Sequence, residues 1–223
     1  MPPTHVQSNN GQAFSGTTVT AAFGSNVTAG NMIVVTIYSN KGLTSITDSL
    51  SHTYQTATVN TDGSTYVFGC YYVPNITGGA NTVTATLTAA HTFALLTIQE
   101  YSGCATASPL DQATFAFQTT PGTGANAITT GNVTTTTNGQ LLFGACGSTE
   151  AFTATVSAGT SYTIRQNPLG DNPSEDRVQT SAGAVAATFT TTDTTASYHS
   201  LIATFKAAAA NTAHLMTLLG VGA

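Results

Sequence analysis

The chain has 223 residues, of which 41% are hydrophobic and only 6% charged, with nine acidic against four basic side chains. With no basic patch there is no electrostatic footprint for nucleic acid, and no apolar run reaches the ~18 residues of a membrane-spanning helix. Thr makes up roughly a fifth of the chain, and Phe and Tyr are spread through it, which favours half-buried strands over disorder.

From the N-terminus, short alternating apolar runs predict strands near 5–8, 17–23, 32–39, 44–48, 53–59, 65–73, 82–88 and 93–102. Met1-Pro2-Pro3 opens directly into turn and strand signals, and the lack of a charged n-region and an apolar h-region predicts no secretory leader. Asp62-Gly63 is a hairpin turn signal, and Gly78-Gly79-Ala80-Asn81 is a second connector. The small, polar stretch from Gly103 to Pro109 reads as a linker. Beyond it, strands are predicted near 111–118, 126–130, 140–147, 152–157, 161–166, 175–181, 184–190 and 197–206. The last segment differs: Ala207 to Ala210 lead into His214-Leu215-Met216-Thr217-Leu218-Leu219, which predicts a short helix or an extended arm from about 207 to 219. An isolated helix of this length is marginal in water, so the segment is expected to dock on its own body or on a neighbour. Leu215, Met216, Leu218 and Leu219 are the expected interface residues, and the N-terminal arm from Met1 to Gly16 is a second docking element.

Two stretches of the chain echo each other. Asn31-Met32-Ile33-Val34-Val35, followed by Thr53-Tyr54, returns about 108 residues later as Gly139-Gln140-Leu141-Leu142-Phe143, followed by Ser161-Tyr162. Val83-Thr84-Ala85-Thr86 returns as Val185-Ala186-Ala187-Thr188. The expected fold is all-β: tandem or fused antiparallel β-sandwiches of Ig-like or jelly-roll type, built from this repeat. The expected organisation is a first sandwich over 1–106, a second over 107–207 and a docking tail over 208–223. The sequence leaves open whether the halves share one core.

Little in the sequence speaks for catalysis. His5, His52, His91, His199 and His214 occupy no metal-ligand spacing and read as surface or capping histidines. No G-x-S-x-G elbow opens a helix. Glu100 ends an apolar strand, where it could accept hydrogen bonds from neighbouring backbone N–H groups or line a cleft; the structural role is expected, since glycoside hydrolysis needs a second carboxylate and no partner is evident. Asp171, Glu175 and Asp176 lie in one Pro- and Asn-rich loop and are weak calcium candidates, out of register with a calcium-binding loop. Arg177 could equally neutralise one of them. Tyr71, Tyr72 and Tyr101 read as core or cross-strand residues, and the chain has no Trp to make a sugar platform. Cys70, Cys104 and Cys146 read as buried free thiols. No enzyme activity and no cofactor are expected.

Several segments together carry a resemblance: Ser25 to Val35, Ile46-Thr47-Asp48-Ser49-Leu50, Asn75 to Thr84, Glu100-Tyr101-Ser102-Gly103, Pro109-Leu110-Asp111 and Glu175-Asp176-Arg177. The set, over about residues 5 to 207, resembles a poorly characterised β-sandwich module of bacterial surface proteins and bacteriophage virion proteins. The resemblance implies no catalytic residues. It implies a structural protein of a virion (head decoration, cement, tail or fibre) that contacts itself or other virion proteins. The alternative is a surface adhesin or carbohydrate-binding module on a host-surface glycan, and a polysaccharide-degrading enzyme ranks below both.

Overall fold

A computed structural model describes residues 1–60, 65–119, 122–148, 155–193 and 195–209. The Asp62-Gly63 turn and the four apolar tail residues Leu215, Met216, Leu218 and Leu219 lie outside them. The described chain is all-β and antiparallel. Its first half runs β1 (Thr4–Ala13), β2 (Thr18–Ala22), β3 (Met32–Ser39), β4 (Leu43–Asp48), β5 (Gln55–Val59), β6 (Val67–Val73), β7 (Thr82–Leu87) and β8 (Ala94–Ser102). The second runs β9 (Leu110–Gln118), β10 (Gly124–Thr129), β11 (Val133–Thr134), β12 (Leu141–Ser148), β13 (Val156–Ala158), β14 (Thr163–Gln166), β15 (Ser174–Val178), β16 (Ala184–Val185), β17 (Thr188–Thr191) and β18 (Tyr198–Phe205). Among the described residues a 3-10 turn spans Pro168–Gly170.

Each half contributes one five-stranded sheet, and the two orders correspond strand for strand: β1-β8-β3-β6-β5 in the first, β9-β18-β12-β15-β14 in the second. Each also contributes a smaller outer sheet, β2-β7-β4 and β10-β17-β13, with β11-β16 beside the latter. The five-stranded sheets stack back to back, giving four layers and three cores. One core lies under each outer sheet: Val19, Ile33, Val83 and Ile98 in the first half, Ile128, Leu142, Phe189 and Ile202 in the second. The third lies between the halves, where Met32, Val34, Tyr38 and Tyr101 meet Leu141, Phe143, Leu201 and Phe205.

This layering explains the residue patterns. β2 alternates exposed and buried because water covers one face, whereas β3, β12 and β18 are buried at every position because a sheet covers both faces. Hence Met32 to Tyr38 reads as a nearly continuous apolar run, even residues turned to the central core and odd ones to the outer core.

The stacking has a definite symmetry. β1 lies over β14, β6 over β18 and β5 over β9. β8 lies over β15, with Gln99 bonded to Ser174 and Tyr101 to Asp176, so those two strands run the same way. β3 faces β12, its own counterpart, where Tyr38 packs on Gly147. Every strand direction is kept while the lateral order is reversed, which is a pseudo-two-fold axis parallel to the strands. The arrangement is that of a self-complementary dimer within one chain.

At the ends, one expectation changes and another narrows. Thr4–Ala13 is not a free arm: as β1 it pairs along β8 from Thr4–Ser102 to Ala13–Ala94. Of the short helix or extended arm expected from about 207, the described residues at its start take the extended form. Ala207 makes a β-bridge to Cys104, and the Ala208 N–H donates to the Gly103 carbonyl at 2.8 Å. Ala207 and Ala208 thus extend the line of β18 instead of coiling. Among the described residues, no helix is long and apolar enough to cross a membrane.

Candidate functional site

Glu100 lies on β8 where the loop from Gly24 to Asn31 crosses the sheet end, and it is fully buried. Its Oε1 accepts the Thr28 N–H at 2.7 Å and the Asn31 side-chain amide at 2.6 Å, and its Oε2 accepts Gln7 Nε2 at 2.7 Å. A buried carboxylate ringed by donors is held in place and ties three segments together. The second half solves the same problem from another strand. Thr204 has the register position in β18 that Glu100 has in β8, opposite Leu142 and Ile33 respectively. There the carboxylate comes from Asp111 on neighbouring β9, which accepts the Thr136 N–H and Gln140 Nε2, each at 2.7 Å, and the Thr136 hydroxyl at 2.5 Å. Burial pushes the Asp111 carboxyl up, but these hydrogen bonds outweigh it and leave the group below the usual carboxylate range.

Asp48, His52 and Thr77 come closest to catalytic geometry. His52 Nδ1 is 2.7 Å from Asp48 Oδ2, and Nε2 is 2.9 Å from the Thr77 hydroxyl, spacings of an acid–histidine–hydroxyl relay. Yet the Thr77 backbone N–H also donates to Nε2, at 3.0 Å. That bond occupies the lone pair a general base would use and puts the ring proton on Nδ1. Asp48 is equally committed: it also accepts the Leu50 and His52 N–H groups, the Tyr54 hydroxyl and Asn81 Nδ2. The cluster staples the turn after β4 to the loop before β7. His52 caps a turn, as its sequence position predicted.

The calcium candidates do not converge. Alternation on β15 turns Glu175 and Asp176 to opposite faces. Asp176 points into the central interface, where Arg165 Nε and Nη2 grip it at 2.8 and 2.9 Å and Tyr101 donates at 2.7 Å. Glu175 points to the second half's own core and accepts the Gly159 N–H at 3.0 Å. Asp171 bonds to the amide of Asn172 beside it. Among the described residues, no group of three or more His, Cys, Asp or Glu side chains could hold a metal. The ion pair to Asp176 comes from Arg165, eleven residues upstream, while Arg177 lies over the Tyr162 ring, 4.8 Å from its centroid, and its charge acts on Glu175 without a direct ion pair.

The tyrosines considered as platforms turn inward. Tyr101 is fully buried, Tyr72 donates to Gln55, and Tyr71 packs against the first core. All three cysteines are free and buried, and burial pushes the Cys104 thiol up to about 12. Sequence reasoning missed the ring cluster around His199, where Tyr38, Phe68, Phe115 and Phe117 from both sheets surround the imidazole. It also missed the outward face of β2-β7-β4, which is lined by threonines. The signal for that face was present as T-x-T alternation in Thr18-Val19-Thr20 and Thr82-Val83-Thr84-Ala85-Thr86.

The chain matches no protein-family model, no curated protein and no solved structure.

Proposed function

We propose that this protein is a non-catalytic structural component, acting through contacts with copies of itself or with other subunits, most simply in a bacteriophage virion as decoration, cement, tail or fibre protein. The observation that carries this reading is the use of its ionisable groups as internal staples. Glu100, Asp111, Asp48 with His52, and Asp176 with Arg165 each tie separate segments into one four-layered slab. Such a body is rigid, and its low charge keeps the desolvation cost of a large contact small. The setting in a virion rests on the sequence resemblance alone.

Light scattering on the full-length protein and on a chain ending at Ala209 tests it. Self-association of the full-length protein, weakened in the shorter chain while its thermal unfolding is unchanged, supports the reading and puts the contact in the tail. A full-length protein that stays monomeric at high concentration and joins no lattice of other subunits overturns it.

A further inference from the structure

We propose that the outward face of the β2-β7-β4 sheet is an ice-binding surface, a neutral grid of hydroxyl and methyl groups matched to a layer of ordered water. Alternation turns Val19, Ala21, Val83 and Ala85 into the core and leaves their neighbours facing out. The strand register then lines those neighbours up in two rows across three strands, Thr18–Thr86–Ser45 and Thr20–Thr84–Thr47, with a register shift in β4 just before Ser45.

Ordinary strand geometry spaces such a grid about 4.8 Å across the strands and about 6.7 Å along them. Both lie close to the oxygen repeats on the prism face of hexagonal ice. Threonine suits this role, because its hydroxyl can take a lattice position while its methyl excludes disordered water. Its χ1 is stiff, and the buried core behind the sheet fixes each backbone position. The partner surface therefore meets groups that are already in place.

The hydroxyls are free to act. None of those in the two rows bonds to a protein group among the described residues. The corresponding outer sheet of the second half differs on this point. There the Thr188 hydroxyl donates to Asn126 Oδ1 at 2.7 Å, the Thr190 hydroxyl accepts the Asn126 N–H, and the Thr129 hydroxyl accepts the Gly131 N–H. Threonines inside the protein are likewise paired, as Thr36 with Thr97 at 2.6 Å. The two halves share a sheet order, but among the described residues the first presents rows of unspent threonine hydroxyls while Thr129, Thr188 and Thr190 of the second are bonded.

The face also lacks what other partners need. It has no aromatic side chain to stack on a sugar and no Trp, Tyr or Arg to anchor a protein. It carries no charge, which would orient water radially and break a lattice.

The test uses the full-length protein in a nanolitre osmometer with a seeded ice crystal, and a labelled sample on a single-crystal ice hemisphere. The expected result is a faceted crystal, a freezing point held below the melting point, and label concentrated on discrete planes. Thr20→Lys and Thr84→Lys should each abolish the gap while leaving the thermal unfolding transition in place. The Thr20 side chain is exposed on β2, an edge strand of its sheet, so it reports even if Thr84→Lys disturbs folding. Thr190→Lys, on the second half's outer sheet, should keep the gap. Rounded crystals with no gap overturn the proposal, as does a gap that survives both first-half substitutions. Retention on insoluble cellulose or chitin, lost in Thr84→Lys while ice stays unshaped, also overturns it and reassigns the face to polysaccharide.

Discussion

Tyr101, at the end of β8, donates its hydroxyl across the central core to Asp176 on β15, at 2.7 Å. The two residues belong to different halves, and Arg165 holds the same carboxylate from its other side through two further bonds. One pleat away Gln99 bonds to Ser174, and at the sheet edge Asn10 and Ser8 of β1 bond to Gln166 of β14. Together they set the register of one sheet over the other, which apolar contacts alone leave free to slide.

Tyr101→Phe removes one donor and leaves the Arg165 grip intact, so it should cost about 1–2 kcal/mol. Asp176→Ala strands a partly buried guanidinium and a buried phenol, and should cost about 3–5 kcal/mol. Urea titration of the three proteins measures both. Equal losses for the two variants would show that the carboxylate does not organise this contact.

Glu100→Gln should destabilise the first half by about 2–3 kcal/mol, because one of three donors then faces an NH₂ group. Asp111→Asn should do the same in the second half, where Thr136 and Gln140 supply the donors. Hydrogen exchange separates the two: protection should fall at Thr28 in the first variant and at Thr136 in the second.

Stability should fall as pH rises from about 4.5 to about 8. Burial raises Glu175 from 4.5 to about 8, against the pull of the Gly159 N–H, and raises Asp171 from 3.8 to about 7. Between those limits the folded protein keeps protons that the unfolded chain has released. The stabilisation from these groups is therefore full below about pH 4 and lost as pH climbs through the folded values, at up to about 1.4 kcal/mol per pH unit for each proton. Asp48 and Asp111 act oppositely: their carboxyls are depressed, and their contribution is lost as pH falls below the ordinary range. The melting temperature should thus peak on the acid side of neutrality. Glu175→Gln should flatten the alkaline limb; a melting temperature that rises between pH 5 and 8 would sink the assignment.

Gly144→Ala should destabilise by about 1–3 kcal/mol through overpacking. A Cβ there would stand 2.6 Å from the Ala187 Cβ and 3.3 Å from Glu175. The reason is contact with the outer layer, not backbone conformation. The double variant with Ala187→Gly should recover much of the loss, which a thermal melt reads directly.

The sequence by itself carried the class of fold and much of its local detail. T-x-T alternation marks β2 and β7 as one-sided strands, and the apolar run from Met32 to Tyr38, interrupted only by Thr36, marks a strand covered on both faces, because those periods follow from the pleat. The hydrogen-bonded role of Glu100 was also legible, since a carboxylate ending an apolar strand is tolerated only with donors around it. Only the tertiary structure decided which donors those are and which residues meet across the layers. Tyr101 and Asp176 are 75 residues apart, and no local pattern encodes the reversal that lays β8 on β15. Alternation could have separated Glu175 from Asp176, but the partner of each depended on which sheet lay on each side. The threonine rows show the same division: each strand's period is local, whereas the alignment of Thr20, Thr84 and Thr47 comes from ladder hydrogen bonds between distant segments.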